Sequence, residues 1–361
     1  MMQEVARTGV ISLASLRDTG VQLFGAGQFA RGVARALRTH GVTVHRFLVS
    51  HVPLESVVDG IVCEVVSPFA LEAGPTWIAV HNHHRVSDTV MLTNELRTLS
   101  PNVQLVWPQQ YYPVLEADLG WRFWLHSVDD YVLMRDRIAS GRALLNDEVS
   151  RQNYDAVLAF RTAMSDPVAP QPDGEITYLP TWFRSHLQQP LQFVDAGAYH
   201  GETTLLFASL VPVATAYAFE PDPVNHEQML RAFTHSTLDV KSYRAGVGAA
   251  SGSVGFSGGS GESSHVSETG ATRVPVVTLS EALADVPINF IKLDVEGQER
   301  PALEGARALI EAERPLLAIA GYHLWDDLWE IPQLINSFKR NYRIALGVHK
   351  YNTFDLVFYA Y

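Results

Sequence analysis

The sequence predicts an α/β protein of two successive units, each built on an open, mainly parallel sheet with helical crossovers. Three observations carry that reading. Short apolar runs alternate with helix-periodic stretches through both halves. Each half has a glycine turn directly after an apolar strand, Gly25-Ala26-Gly27 in the first and Gly197-Ala198-Tyr199-His200-Gly201 in the second. Between them Asp166–Gly174, with three prolines and a glycine, punctuates the chain. The length of 361 residues also exceeds what one domain of about 100–200 residues requires.

The first strand is Val21–Phe24. Behind Gly27, Phe29, Val33, Ala36 and Leu37 recur at helical spacing, and Gly41 ends the helix. Val42–Ser50, Gly60–Val66, Trp77–Val80 and Val103–Trp107 read as the remaining strands of a small unit over residues 1–115. Between Leu115 and Phe160, Leu125, Val128, Val132, Leu133, Leu144 and Leu145 stand among charges without strand alternation, which predicts a helical connector. With the proline-rich stretch it fills residues 116–174.

Residues 175–361 return to alternation, with strands at Phe193–Ala196, Ala214–Phe219, Val240–Arg244, Asn289–Leu293 and Pro315–Ile319. The last apolar stretches, Tyr342–Val348 and Phe354–Tyr359, flank a short polar turn and predict a β-hairpin at one sheet edge. Ser251–Ser264 holds eleven Ser or Gly in fourteen residues, which predicts a mobile loop.

Composition narrows the function. With 47% hydrophobic and 18% charged residues the chain can bury sizeable cores, which excludes a disordered or fibrous protein. Twenty-seven basic against 39 acidic residues give a net charge of −12, and such a surface repels phosphate backbones; neither nucleic acid nor an anionic membrane is expected as partner. A single cysteine, Cys63, makes no internal disulfide. No apolar run is long enough to span a bilayer, and MMQEVARTGVISLASL lacks the order of a signal peptide. The expectation is a soluble, cytoplasmic protein, with a homo-oligomer left open.

The residues that carry chemistry concentrate at strand ends. Val194-Asp195-Ala196-Gly197-Ala198-Tyr199-His200-Gly201-Glu202-Thr203 ends a strand and opens a helix, where glycines admit a ligand to the backbone and free N–H groups face it. Glu220, followed by Pro221, closes the next strand 25 residues beyond Asp195, where a carboxylate can accept hydrogen bonds from both hydroxyls of a ribose. The strand Phe290–Leu293 delivers Lys292, Asp294 and Glu296 to its carboxyl end, the side on which open α/β sheets bind ligands. Solvated strand-end charges are the plainer alternative for each.

VDAGAYHGETT, AFEPDP, RAGVG, INFIKLDVEGQERPALEGA and AIAGYHLWDDLWEIPQLI, in this order, resemble the FkbM family of S-adenosylmethionine-dependent methyltransferases over roughly Tyr178–Tyr361. The resemblance implies a seven-stranded Rossmann-like methyltransferase sheet and methyl transfer to a hydroxyl of a small-molecule or sugar-containing acceptor. It implies that Asp195, Gly197, Tyr199 and Gly201 surround the methionine part of S-adenosylmethionine. Glu220 with its neighbour Pro221 would serve the ribose, and Ala245 and Gly246 the adenine side. Asp294 would meet the cofactor amine or the substrate. His323, after the strand Pro315–Ala320, faces the same cleft in that architecture, with a pKa range suited to a general base. Asp294 and His323 rank ahead of Lys292 as catalytic groups, and no metal ligand is assigned.

In the first unit, Gly25-x-Gly27-x-x-Ala30 matches a Rossmann-like dinucleotide fingerprint, so an NAD(P)-dependent oxidoreductase or epimerase, or a non-catalytic nucleotide-sugar-binding protein, stays the alternative. The acid expected ~20 residues on is missing; Arg46 and His51 would instead suit a 2′-phosphate. His81-Asn82-His83-His84-Arg85 lacks a carboxylate to complete a metal shell and reads as a loop. Trp107, Tyr111, Tyr112, Trp121, Phe123 and Trp124 read as packing, with stacking on a sugar as the sharper alternative.

Overall fold

The computed structural model describes residues 11–80, 89–163, 167–187, 190–257, 265–266, 272–338 and 341–361. The chain forms two compact units. Unit 1 takes residues up to Arg135, Asp155–Gln171 and Lys350–Phe354; unit 2 takes Asp136–Tyr154, Pro172–His349 and Asp355–Tyr361. Residues 116–174, read from sequence as connector and linker, are therefore divided between the two, with helices at Val128–Leu133, Arg135–Ala143 and Glu148–Thr162.

Unit 1 has six strands: β1 (Val21–Phe24), β2 (Val44–Val49), β3 (Val57–Val58), β4 (Ile61–Val65), β5 (Thr76–Ile78) and β6 (Leu105–Val106). Their order is β3-β4-β2-β1-β5-β6, all parallel pairs except the β3–β4 hairpin. Parallel neighbours need crossovers. The first is the helix Gln28–Thr39, which buries Val33, Ala36 and Leu37 of the expected stripe together with Ala30 and Ala34, while Phe29 is only half-buried. Trp77 stacks on Tyr111 with ring centroids 4.7 Å apart, and Trp107, Tyr112 and Trp124 are also buried, so these rings are core.

In unit 2 the strands are β7 (Leu191–Ala196), β8 (Val213–Phe219), β9 (Asp239–Tyr243), β10 (Gly246–Val247), β11 (Gly252–Ser257), β12 (His265–Val266), β13 (Thr272–Val277), β14 (Phe290–Leu293), β15 (Leu316–Ala320), β16 (Ile344–Val348) and β17 (Leu356–Ala360). The main sheet has seven strands in the order β16-β17-β15-β14-β7-β8-β9. Its parallel part is β15-β14-β7-β8-β9, and β17 runs antiparallel to both β15 and β16. The central strands are buried at every position but Gln192, as a sheet covered on both faces requires. Phe193 stacks on Phe207 and Phe290 at 4.8 and 5.4 Å, anchoring β7 and β14 in one register.

One expectation fails here. Part of the Ser/Gly stretch is strand, not mobile loop: Gly252–Ser257 pairs antiparallel with Thr272–Val277 in a second sheet, β10-β13-β11-β12. The ladder is made by backbone groups, and Val274 and Val276 on the partner strand supply the buried face that the serines and glycines lack. The stretch 258–264 and the histidine-rich stretch 81–85 lie outside the described residues.

Candidate active site

The site forms in unit 2, outside the carboxyl ends of β7, β8, β14 and β15. Gly197 follows β7 with φ +77°, and a Cβ there would stand 1.8 Å from the Asp294 carbonyl oxygen. Only glycine lets the two strand ends approach so closely. Tyr199 (φ 51°) and Gly201 (φ 85°) continue the left-handed turn, and Gly201 caps the helix Glu202–Leu210; a Cβ on Gly201 would strike the Phe233 ring at 2.7 Å.

A buried ion pair locks this turn. Lys292 Nζ lies 2.9 Å from Asp195 Oδ1, both side chains being 2% exposed or less, and it donates to the Gly197 carbonyl at 2.7 Å. Thr204 Oγ1 donates to the other Asp195 oxygen at 2.6 Å. Burial disfavours the ammonium, but Asp195 and Asp294 outweigh it and hold Lys292 above its ordinary pKa. A lysine kept protonated and engaged in this way is a brace for the turn and does not serve as base. Asp195, expected beside the cofactor, is likewise fully enclosed and acts on the turn from beneath.

Glu220 ends β8. One oxygen accepts the Tyr199 N–H at 3.0 Å and the other the Asp222 N–H at 2.8 Å. These donors fix the carboxylate and leave a second lone pair on each oxygen. Burial pushes the Glu220 carboxyl up to about 7 despite both donors. Asp222 then caps the helix Pro223–Phe233 by accepting from Val224 and Asn225 N–H. Gly246 lies beside Pro221, where a Cβ would stand 3.8 Å from that of the proline, and Ala245 precedes it buried. Tyr199, Glu220, Pro221 and Gly246 thus line one side of the sheet tip.

Asp294 stands across the β14 end, its side chain 26% exposed. Tyr322 donates its hydroxyl proton to Asp294 Oδ1 at 3.2 Å, and Tyr178 also hydrogen-bonds this carboxylate. Tyr178 holds a left-handed backbone, φ 67°, with its N–H on the Tyr359 hydroxyl. His323 is adjacent, as expected, but it is not a poised base. It is 0% exposed; Nδ1 lies 2.9 Å from Glu299 Oε1, and Nε2 lies 3.5 Å from Asp294 Oδ1 and 3.6 Å from Glu296 Oε2. Burial opposes its charge, yet Glu299, Glu296 and Asp294 together push the imidazole up to about 10. In this environment His323 already carries its proton at neutral pH, so it cannot take another from a substrate. The open carboxylate of the group is Asp294.

The structure therefore brings Gly197, Tyr199, Glu220, Pro221, Gly246, Lys292, Asp294 and His323 to one strand-end face. Tyr178, Tyr322 and Glu299 were not foreseen. Glu299 and Tyr322 sit inside quoted motifs without a pattern that singles them out, and no local signal marks Tyr178. In unit 1, Gly25 (φ 119°) makes a tight turn with its Cβ position 2.8 Å from the Ala79 carbonyl oxygen. Arg46, weighed as a 2′-phosphate partner, is bridged to Glu64 at 2.6 Å.

A parallel sheet closed by an antiparallel hairpin, with its polar groups gathered at the carboxyl ends, is the arrangement of the Rossmann-like methyltransferase fold. Residues 195–344 match the family model described as Methyltransferase FkbM domain. A crystal structure of a methyltransferase FkbM from Methylobacillus flagellatus KT superposes with a TM-score of 0.73 at 19% identity, covering 98% of this chain and 94% of that one. At that identity the likeness is one of fold. A further solved structure, from Clostridium thermocellum, shares 11% identity over 46% of this chain and 84% of its own; its TM-score of 0.30 carries no argument. None of the curated proteins matches the sequence. Among the described residues, no helix is long and apolar enough to cross a membrane.

Proposed function

We propose that the chain is an S-adenosylmethionine-dependent O-methyltransferase acting on a hydroxyl of a small-molecule or sugar-containing acceptor. The observation that carries this is Glu220, fixed by two backbone N–H groups at the β8 tip beside a glycine turn that admits no Cβ. That fixed acceptor suits the hydroxyls of a ribose, with Pro221, Ala245 and Gly246 beside it for the base and Gly197 and Tyr199 for the amino-acid end. When bound, the cofactor supplies an electrophilic methyl group on a sulfonium.

The chain's own residues do the rest. Lys292 and Asp195 hold the turn rigid, so positioning is prepared before any ligand arrives. Asp294 is the partly exposed acceptor for an incoming hydroxyl or amine proton, and Tyr178 and Tyr322 fix its orientation. His323 stands beside it, with Nε2 3.5 Å from Asp294 Oδ1.

Calorimetry with S-adenosylhomocysteine tests the reading. The wild type should bind one equivalent, and Glu220→Ala should weaken binding by about 1.5–3 kcal/mol, the worth of hydrogen bonds to a charged group. A folded wild type that ignores the ligand sinks the proposal. A labelled methyl donor offered with hydroxylated and glycosylated acceptors then tests the O-methyl step.

A further inference from the structure

Asp294, Glu299 and His323 each offer a ligand atom within 4.8 Å of the other two, and the last two are fully buried. We infer that these three side chains form a divalent-cation site at the carboxyl end of β14. The spacing fits one ion. Metal–ligand bonds to imidazole nitrogen and carboxylate oxygen run ~2.0–2.2 Å, so two ligands of one ion stand ~3 Å apart when adjacent and ~4.2 Å apart when opposite. His323 Nδ1 and Glu299 Oε1 are already 2.9 Å apart, the separation of adjacent ligands.

The outer contacts also have the right sense. With the ion on Nδ1, the imidazole is neutral and keeps its proton on Nε2, which faces Glu296 Oε2 at 3.6 Å. A carboxylate on the far nitrogen is the arrangement that orients metal-bound histidines. Glu299 is itself held by the Val295 N–H, which donates to Oε1 at 2.7 Å.

Charge points the same way. Asp294, Glu296 and Glu299 surround one imidazole, and the Asp327 side chain is buried as well. Arg300, 3.3 Å from Asp327 and 3.0 Å from Asp326, is shared between those two acids. A single imidazolium offsets one of the remaining charges, and a divalent ion offsets two. The donor set, one nitrogen and two oxygens with Asp294 toward solvent, suits manganese, magnesium or zinc with open positions. Those positions would take the oxygen of the acceptor and lower its pKa, the way a Lewis acid promotes loss of a hydroxyl proton. That role rests on the proposed methyl transfer; the existence of the site does not.

The test uses the full chain, stripped with chelator and dialysed, titrated with Mn²⁺ and separately with Zn²⁺ by calorimetry, with electron paramagnetic resonance for manganese. One ion per chain is expected for at least one of them. Glu299→Gln and Asp294→Asn should each weaken uptake by at least about tenfold, the lower end of what disturbing a metal shell costs. Asp294 is partly exposed, so its variant keeps the test alive if the buried one misfolds. Glu304→Gln, on an exposed helix face, should bind as the wild type does. Folded wild type that takes up neither ion, or uptake unchanged in both ligand variants, overturns the inference. S-adenosylhomocysteine binding, measured on the same samples, separates this outcome from failure of the methyltransferase reading: loss of one leaves the other standing.

Discussion

Replacing Lys292 with methionine keeps most of the side-chain volume and deletes the charge that braces the glycine turn. Asp195 would then be a fully buried carboxylate with Thr204 as its remaining side-chain donor, and the Gly197 carbonyl would lose its 2.7 Å bond. Breaking one half of a buried ion pair costs about 3–5 kcal/mol, because the surviving charge is left in low dielectric. Against a total stability of about 5–15 kcal/mol this is a large share. Urea unfolding at pH 7, followed by circular dichroism, should show the unfolding free energy falling by that amount, as a lower midpoint at an unchanged slope. The double variant Lys292→Met/Asp195→Asn should recover at least about 1 kcal/mol of the loss, since it removes the orphaned charge. A single variant that loses less than about 1 kcal/mol, or a double variant that is merely additive, would refute the brace.

Other outcomes follow from the same geometry. Glu220, raised from its ordinary 4.5 to about 7, holds a proton in the folded chain that the unfolded chain releases; without ligand, stability should fall by about 3 kcal/mol as pH rises from 4.5 to 7, and Glu220→Gln should flatten that slope in denaturant titrations. Gly197→Ala should prevent β7 and β14 from closing, since its Cβ would lie 1.8 Å from the Asp294 oxygen; a soluble variant with native S-adenosylhomocysteine affinity would contradict this. Asp222→Ala should cost about 1 kcal/mol through loss of the helix cap, read as a shift in melting temperature. A fragment starting at Gly174 lacks Ser150 and Asn153, whose side chains bond the Leu346 N–H and carbonyl at 3.0 and 2.9 Å; it should melt earlier than one starting at Asp136.

Much of the fold was legible because its strands are short apolar runs bounded by glycine, proline or polar residues. All seven strands of the main sheet, and the final hairpin, follow from that pattern. The strand Gly252–Ser257 was hidden because serine and glycine carry no period, while its pairing is made by backbone. At the site, the glycine turn and Glu220 announce themselves through position at strand ends. The protonation state of His323 does not, since it depends on Glu296 and Glu299 arriving around the ring from another strand end. Lys292 misleads for the same reason: charged residues near a strand end look available, and only burial against Asp195 shows that this one is occupied. Tyr178 reaches Asp294 from before β7, a long-range meeting with no local trace.

The position of β17 bears on how the chain matures during synthesis. It inserts between β15 and β16 although it is made after both. Until residues 356–360 are available, β15 presents an unpaired row of backbone donors and acceptors next to the strand that carries Asp294. Such an edge invites pairing with other chains. A nascent chain arrested before that segment would thus expose the β15 edge, and the sheet that frames the site is closed only once residues 356–360 have paired.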